Sequence, residues 1–569
     1  TILQSLEELM NGQIDSWLVE SVKDKLIMNF ELSKESNLSY GMMLAQAYGN
    51  DMTVEEYENY IELIKQITKD DVVTVAKKYL DAPYLAFQSL IGEPKKDKLP
   101  KPKYKPIVPA VGQTSTFAKQ WLEEKVEVPP FKPIDFNNDF SKGELAPGVT
   151  IFHTENPESN IFSLTLKYGA GSSKIPGLDF SVNLMNRAGI MALYTPYELK
   201  KEFSKLGCTV NFYNDRSYTY VTLRGKEANL LRACKLLSNT YLMPSMDEKQ
   251  INSLIGNQMG SRMMESKNKD IQSQALNEYL KYGENSRYLN RLTNSEVLGL
   301  TVSKLAAIFI EATKFETSVH YTGKLSYDEV KNVLTKSLAF PANLKHSSSP
   351  VSTPTTEYAE NTILLLNNKN ARQGDVYIFI PGDEYQLEQR PVIDAFNQYF
   401  GGGFNGLVLQ ELRELRSFAY TASANYNTPP VPNRKSMFTG YIGTQGDKTI
   451  DAIREFLNLI NNMPQYPERM VNIKDFLNQA TVTSSPTKRQ LTQVVENRIQ
   501  AGYTEDPRIK LVEGYNATSF EDVLDFYNQE FKNKPIAIAI VVNKKLIDKK
   551  QIKTLGKVVN VSSGKIFKY

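Results

Sequence analysis

Cysteine is almost absent from this 569-residue chain. Cys208 and Cys234 alone cannot build a disulfide framework or a four-thiolate zinc site, so both read as buried free thiols and leave the redox compartment open. Histidine is nearly as scarce. His153, His320 and His346 stand far apart, with no second His or Cys at ligand spacing, so no self-contained zinc site is legible. The first two sit in strand-like runs as packed or half-exposed residues, and the third in a linker. Long apolar runs are missing too: the longest, IAIAIVV at 536–542, has seven residues where a membrane helix needs about 20. It reads as a buried strand, and no membrane span is expected. Charge of one sign is also lacking, since Lys+Arg 67 against Asp+Glu 64 leaves +3, too little excess to neutralise phosphates; nucleic acid is excluded as a partner. No GxSxG elbow, Walker loop or Cys/His pairing supports nucleophilic or phosphoryl chemistry.

What is present is ordinary globular usage, 41% hydrophobic and 23% charged, over a length that predicts about three or four structural units. An amphipathic helix runs directly into an apolar strand at three places: DDVVTVAKKYLDAPYLAFQSLIG (70–92), VSKLAAIFIEATKFETSVHYTG (302–323) and FEDVLDFYNQEFKNKPIAIAIVV (520–542). Each reads as the closing helix and strand of a unit. The second and third copies follow long stretches of strands and helices, whereas the first follows only helices, from Thr1, where Ile2, Leu3, Leu6, Leu9 and Met10 already carry a helical spacing. The expectation is a cut end, with the front of a first unit missing.

Proline-rich and polar stretches at 93–133 and 341–358 read as linkers, the lysines of the first as a solvated spacer. The two units they delimit, 134–340 and 359–569, repeat one order of elements: two strands, a helix, a second helix leading into two more strands, then another helix. The strands are VTIFHT, FSLTLKYG, CTVNFYN and SYTYVTLRG in one unit, and TILLLNN, DVYIFIP, AYTASANYN and SMFTGYIGT in the other. Their alternation predicts an α+β class with antiparallel or mixed sheets, one face under helices and the other semi-exposed. Gly169 and Gly171 read as a tight turn; Gly401, Gly402 and Gly403 read as a hinge or a close backbone approach.

The segment GGGFNGLVLQELRELRSFAYTASANY (401–426) resembles the second-half signature of the insulinase/pitrilysin family of inverted zinc peptidases: a glycine turn, a helix containing Arg, then Ala-Tyr opening a strand, with Arg413 and Tyr420 at the family's spacing. The resemblance implies a clamshell of two halves, each of two similar α+β domains, with an H-x-x-E-H zinc motif in the first domain and the Arg/Tyr pair in the last. Laid on the zinc domain's pattern, GLDFSVNLMNRAG (177–189) puts Phe180, Asn183 and Leu184 at the motif positions, so the motif is degenerate. The resemblance therefore implies that 1–92 is the helical tail end of an incomplete second domain, 134–340 a degenerate third domain and 359–569 the fourth. It further implies that zinc belongs to a missing N-terminal half, that this half and peptide substrates are the partners, and that Arg413 and Tyr420 bind the substrate or its oxyanion. A soluble protein of the bacterial periplasm or cell envelope is the expected setting. The competing expectation is a catalytically inactive scaffold or regulatory subunit of the same fold, as in the regulatory subunits of mitochondrial processing peptidase or the core subunits of respiratory complexes. The Arg/Tyr pair weighs for the peptidase, because a scaffold has no reason to keep both side chains in this arrangement.

Overall fold

A computed structural model describes residues 2–90, 115–124 and 131–569, without the side chain of Leu122. The first unit's strands, β1 (Ser141–Ala146), β2 (Val149–Glu155), β3 (Ile161–Tyr168), β4 (Cys208–Asn214), β5 (Thr219–Lys226) and β6 (Thr317–Gly323), form one sheet in the order β1-β2-β6-β3-β5-β4. Only the β2–β6 pair is parallel. In the second unit β7 (Thr362–Asn367), β8 (Gln373–Glu384), β9 (Ala419–Asn427), β10 (Lys435–Gln445), β11 (Ala537–Val542) and β12 (Lys557–Val561) follow the order β9-β10-β8-β11-β7-β12. Here β7 runs parallel to β11 and β12, and the remaining pairs are antiparallel. Position for position, β2, β6, β3, β5 and β4 correspond to β7, β11, β8, β10 and β9. The repeated, mostly antiparallel α+β fold is present, and only the sixth strand differs, entering from the front of one unit and the back of the other.

The expected semi-exposed face is present at the outer strands β4, β5, β9 and β10, where buried residues alternate with exposed or half-exposed ones, whereas the central strands are covered on both faces. In β11 all six residues are buried. Ile538, Ile540 and Val542 point into the second unit's helical core, while Ala537, Ala539 and Val541 pack with Ala275, Leu276 and Leu280 of the helix Lys269–Tyr282, which belongs to the first unit. The exchange is reciprocal: the helix Lys488–Gln500 of the second unit lies on β2 and β6 of the first. An amphipathic pattern shows that a helix has a buried stripe but not which sheet it meets.

Charged groups sit inside the second of these contacts. Lys167 Nζ, on β3, lies 2.6 Å from Glu496 Oε2, on the exchanged helix, with both residues 5% exposed. His320 Nε2 lies 3.2 Å from the same oxygen, and Ser318 donates to the other. Burial raises the Glu496 carboxyl, but the hydrogen bond and charge of His320 and the charge of Lys167 outweigh it and hold the group at about 2.

The helices before residue 81 form as expected, including Ser16–Lys34 and Lys69–Leu80. They are tied to the rest by Arg489, whose guanidinium pairs with both Glu35 oxygens at 2.6 Å and donates to Ser163 on β3. The strand expected after the first helix copy does not form: residues 83–90 carry no strand, and Tyr84, Leu85 and Phe87 are exposed. Its counterparts β6 and β11 are each held between two neighbours, and no such neighbours stand beside 83–90 among the described residues. Residues 91–92 of the first copy and 93–114 and 125–130 of the first linker lie outside the described residues, and Thr116–Glu123 forms a short helix. The second linker has no helix or strand yet packs closely: Ser347 donates to the Gly169 carbonyl, and Tyr358 to that of Leu280.

Candidate functional site

The helix Arg390–Gly401 buries Ile393, Phe396, Tyr399 and Phe400 against the second sheet and ends in the glycine turn. A Cβ on Gly401 would stand 1.9 Å from the Ala424 carbonyl oxygen of β9, so only glycine allows helix and strand to approach this closely. Gly403 meets nothing within 4 Å but has φ +59°, a left-handed conformation that glycine adopts without strain. One short turn, Gly403–Asn405, carries Phe404 outward, 69% exposed.

The stretch expected as a helix through Arg413 is only briefly α-helical. Leu407–Leu409 is regular, and Gln410–Glu414 widens into a π turn, closed by Leu415 N–H donating to the Gln410 carbonyl at 3.0 Å. Ser417, at φ 52°, then turns the chain into β9. There Ala419 pairs with Thr444 and Thr421 with Gly443, so Tyr420 is the unpaired residue of a bulge. π turns and bulges both re-aim side chains and recur at functional sites.

Together these irregularities bring Arg413 and Tyr420 side by side. The guanidinium carbon lies 5.4 Å from the Tyr420 ring centre and 5.7 Å from that of Phe404. Among the described residues the one carboxylate within ion-pair reach of Arg413 is its neighbour Glu414, Nε to Oε1 3.4 Å. Arg416 is the contrasting case, committed to Glu411 and to Glu455. Tyr420 is 84% exposed, and its hydroxyl has no hydrogen-bond partner among the described residues. The site is thus a cation flanked by two exposed aromatic rings, with N–H and O–H donors left for an acceptor from outside.

A shared anchor allows comparison with the first unit. Asn397 donates from Nδ2 to the Tyr426 carbonyl and accepts from its N–H; Asn186 does the same with Phe212. Each asparagine thereby pairs with the outer edge of its unit's last strand in the sheet. The anchors are 26 residues apart in the first unit and 29 in the second. The surplus falls in the stretch that holds the π turn and the bulge, and a count back from Phe212 sets Thr209 opposite Ser423. The corresponding stretch of the first unit, which holds Glu202 and Thr209, has a regular helix, Pro196–Lys205, and an unbroken register between β4 and β5. Phe404 is the neighbour that sequence reasoning missed; an aromatic residue inside GGGFNG was its only signal.

The other expected positions lie elsewhere. Leu184 is fully buried, Phe180 packs beside it, and the Asn183 amide donates to the Asp179 carbonyl. Two apolar side chains and an amide are not zinc ligands, so these residues do not fit the metal. His153 is buried, stacks on Tyr321 and contacts the Leu325 carbonyl at 2.8 Å, whereas His346 is exposed beside Glu316. Both cysteines are buried, and burial pushes each thiol up to about 12. No helix among the described residues is long and apolar enough to cross a membrane.

This fold is the one found in solved M16-peptidase structures. The peptidase M16 inactive domain from Pseudomonas fluorescens is 15% identical, with a TM-score of 0.57 over 71% of this chain and 98% of its own. The periplasmic protease PqqL from Escherichia coli is 13% identical, with a TM-score of 0.57 over 95% of this chain, which spans 62% of that protease. A conserved protein from Enterococcus faecalis V583 is 13% identical, with a TM-score of 0.58 over 72% of this chain and 100% of its own. Residues 316–469 match the family described as Peptidase M16 inactive domain, and the segment from Gly401 to Tyr426 that carries the resemblance lies inside that match. No curated protein matches.

Proposed function

We propose that this chain is the substrate-binding part of a zinc metalloendopeptidase, supplying one wall of a chamber in which peptides are cleaved. One observation carries the reading: the second unit departs from the regular fold of the first where Arg413 and Tyr420 stand, and of their donors only Arg413 Nε faces an acceptor among the described residues, Glu414 Oε1 at 3.4 Å. Such donors suit a peptide carbonyl, and a donor aimed where charge develops strengthens its bond as the carbonyl becomes an oxyanion. Glycine packing at Gly401 and the Asn397 anchor make the mounting rigid, as a preorganised donor requires.

In this reading residues 1–92 close a second domain, 134–340 are a degenerate third and 359–569 the fourth. Zinc belongs to a partner half that carries the first domain, because Phe180, Asn183 and Leu184 do not fit it; the isolated chain is then inactive alone. A periplasmic or envelope setting belongs to the same proposal. The inactive scaffold remains the second reading, favoured by the printed description of the matched family as an inactive domain. Equilibrium binding separates the two. A fluorescent unstructured peptide should bind the full chain, and Arg413→Ala or Tyr420→Phe should weaken it; equal binding by wild type and both variants would favour the scaffold.

A further inference from the structure

An exposed phenylalanine needs a reason, and the surroundings of Phe404 supply one. Its turn is pinned from two sides: Gln410 Nε2 donates to the Phe404 carbonyl at 2.9 Å, and Arg469 Nη1 to that of Asn405 at 3.2 Å. The ring gains little burial from this, since it stays 69% exposed. What it does gain is a place 5.7 Å from the Arg413 guanidinium, which has Tyr420 at 5.4 Å. A cation over an aromatic face is attracted by the ring quadrupole, and an arginine so held loses less freedom when it engages an acceptor. Glu414 competes for the same guanidinium at 3.4 Å. With the ring gone, that carboxylate is the partner left to Arg413 besides Tyr420.

We infer that Phe404 is a positioning residue, which together with Tyr420 clamps the Arg413 guanidinium between two rings and holds it ready for a substrate carbonyl. The role rests on the proposed substrate reading of Arg413, but the clamp itself is a separate physical claim. A purely packing role would be served equally by leucine, whereas a clamp through the ring face needs an aromatic.

The test uses the full chain with isotopically labelled arginine. The Arg413 Nε–H resonance, assigned by its loss in Arg413→Lys, should show ring-current displacement that Phe404→Leu reduces and Phe404→Tyr retains. In the peptide-binding measurement, Phe404→Leu should weaken affinity about two- to fivefold, the range expected for an exposed cation–π contact. Phe404→Tyr should restore it, and Phe404→Leu should have no further effect once Arg413 is alanine. An Arg413 resonance that ignores Phe404→Leu, or leucine serving as well as tyrosine, overturns the inference. A resonance that responds as described while Arg413→Ala leaves peptide binding unchanged upholds the clamp and removes the substrate reading instead.

Discussion

Arg413 and Tyr420 come within 5.4 Å of each other because a π turn displaces one and a strand bulge displaces the other. Neither side chain is needed to bury the core: Tyr420 is 84% exposed, and the Arg413 side chain is 35% exposed. Arg413→Ala and Tyr420→Phe should therefore change unfolding free energy by no more than about 0.5 kcal/mol, as surface substitutions do. Thermal and urea unfolding of both variants checks this, and a large loss of stability would return both residues to a structural role.

The glycine turn separates two kinds of strain. In Gly401→Ala the new methyl meets a backbone oxygen at 1.9 Å, so the helix end or β9 must shift, at a cost of about 1–3 kcal/mol. In Gly403→Ala the methyl has open space and only the left-handed backbone is penalised, about 1 kcal/mol. Gly401→Ala should also loosen the strand that carries Tyr420 and weaken peptide binding, which Gly403→Ala should do less. Comparable effects in both would mean that close approach is not what selects Gly401.

Asn397 substitutes for a neighbouring strand at the outer edge of β9. Replacing it by alanine removes two hydrogen bonds from Tyr426 and should cost about 1–3 kcal/mol, with faster exchange of the Tyr426 amide hydrogen. Asn186→Ala should act the same way on Phe212. Unchanged amide exchange in either variant would show that the edge is held by other means.

Glu496 makes the contact between the units acid-sensitive. Its carboxyl is depressed from 4.5 to about 2, so its contribution to stability is full above pH 4.5 and is lost as the pH falls towards about 2. Glu496→Gln leaves Lys167 buried beside a neutral group and should cost about 3–5 kcal/mol at pH 7. The difference between wild type and variant should shrink as the pH drops below 4.5. Unfolding midpoints of the two proteins that differ equally at pH 7 and pH 3 would contradict this.

Much of the fold was legible because repeated alternation and repeated helix-to-strand junctions survive in the residues themselves. IAIAIVV announced a buried strand, and β11 is buried on both faces. The exchange of helices was not legible, since Leu491, Val495 and Glu496 describe a stripe without naming the sheet it covers. Glu496 looks like any surface acid in KRQLTQVVENRIQ until Lys167 and His320 are found beneath it. At the site, the spacing of Arg413 and Tyr420 was visible, but the π turn and the bulge were not. Both arise from surplus residues between the Asn397 and Tyr426 anchors, which only pairing in space makes countable. Residues 83–90 carry a strand pattern without forming one, because a central strand takes its structure from its neighbours.

Arg413 and Tyr420 are proposed to serve peptide cleavage. The most direct test is the rate of hydrolysis of a fluorogenic peptide by the assembly of this chain with a zinc-bearing partner half. Loss of one oxyanion donor typically costs about 10²–10³ in kcat. Arg413→Ala and Tyr420→Phe should each lower turnover by about that factor while the assembly remains folded and zinc-loaded. Wild-type turnover in both variants, under conditions where the wild-type assembly cleaves the peptide, would contradict the account.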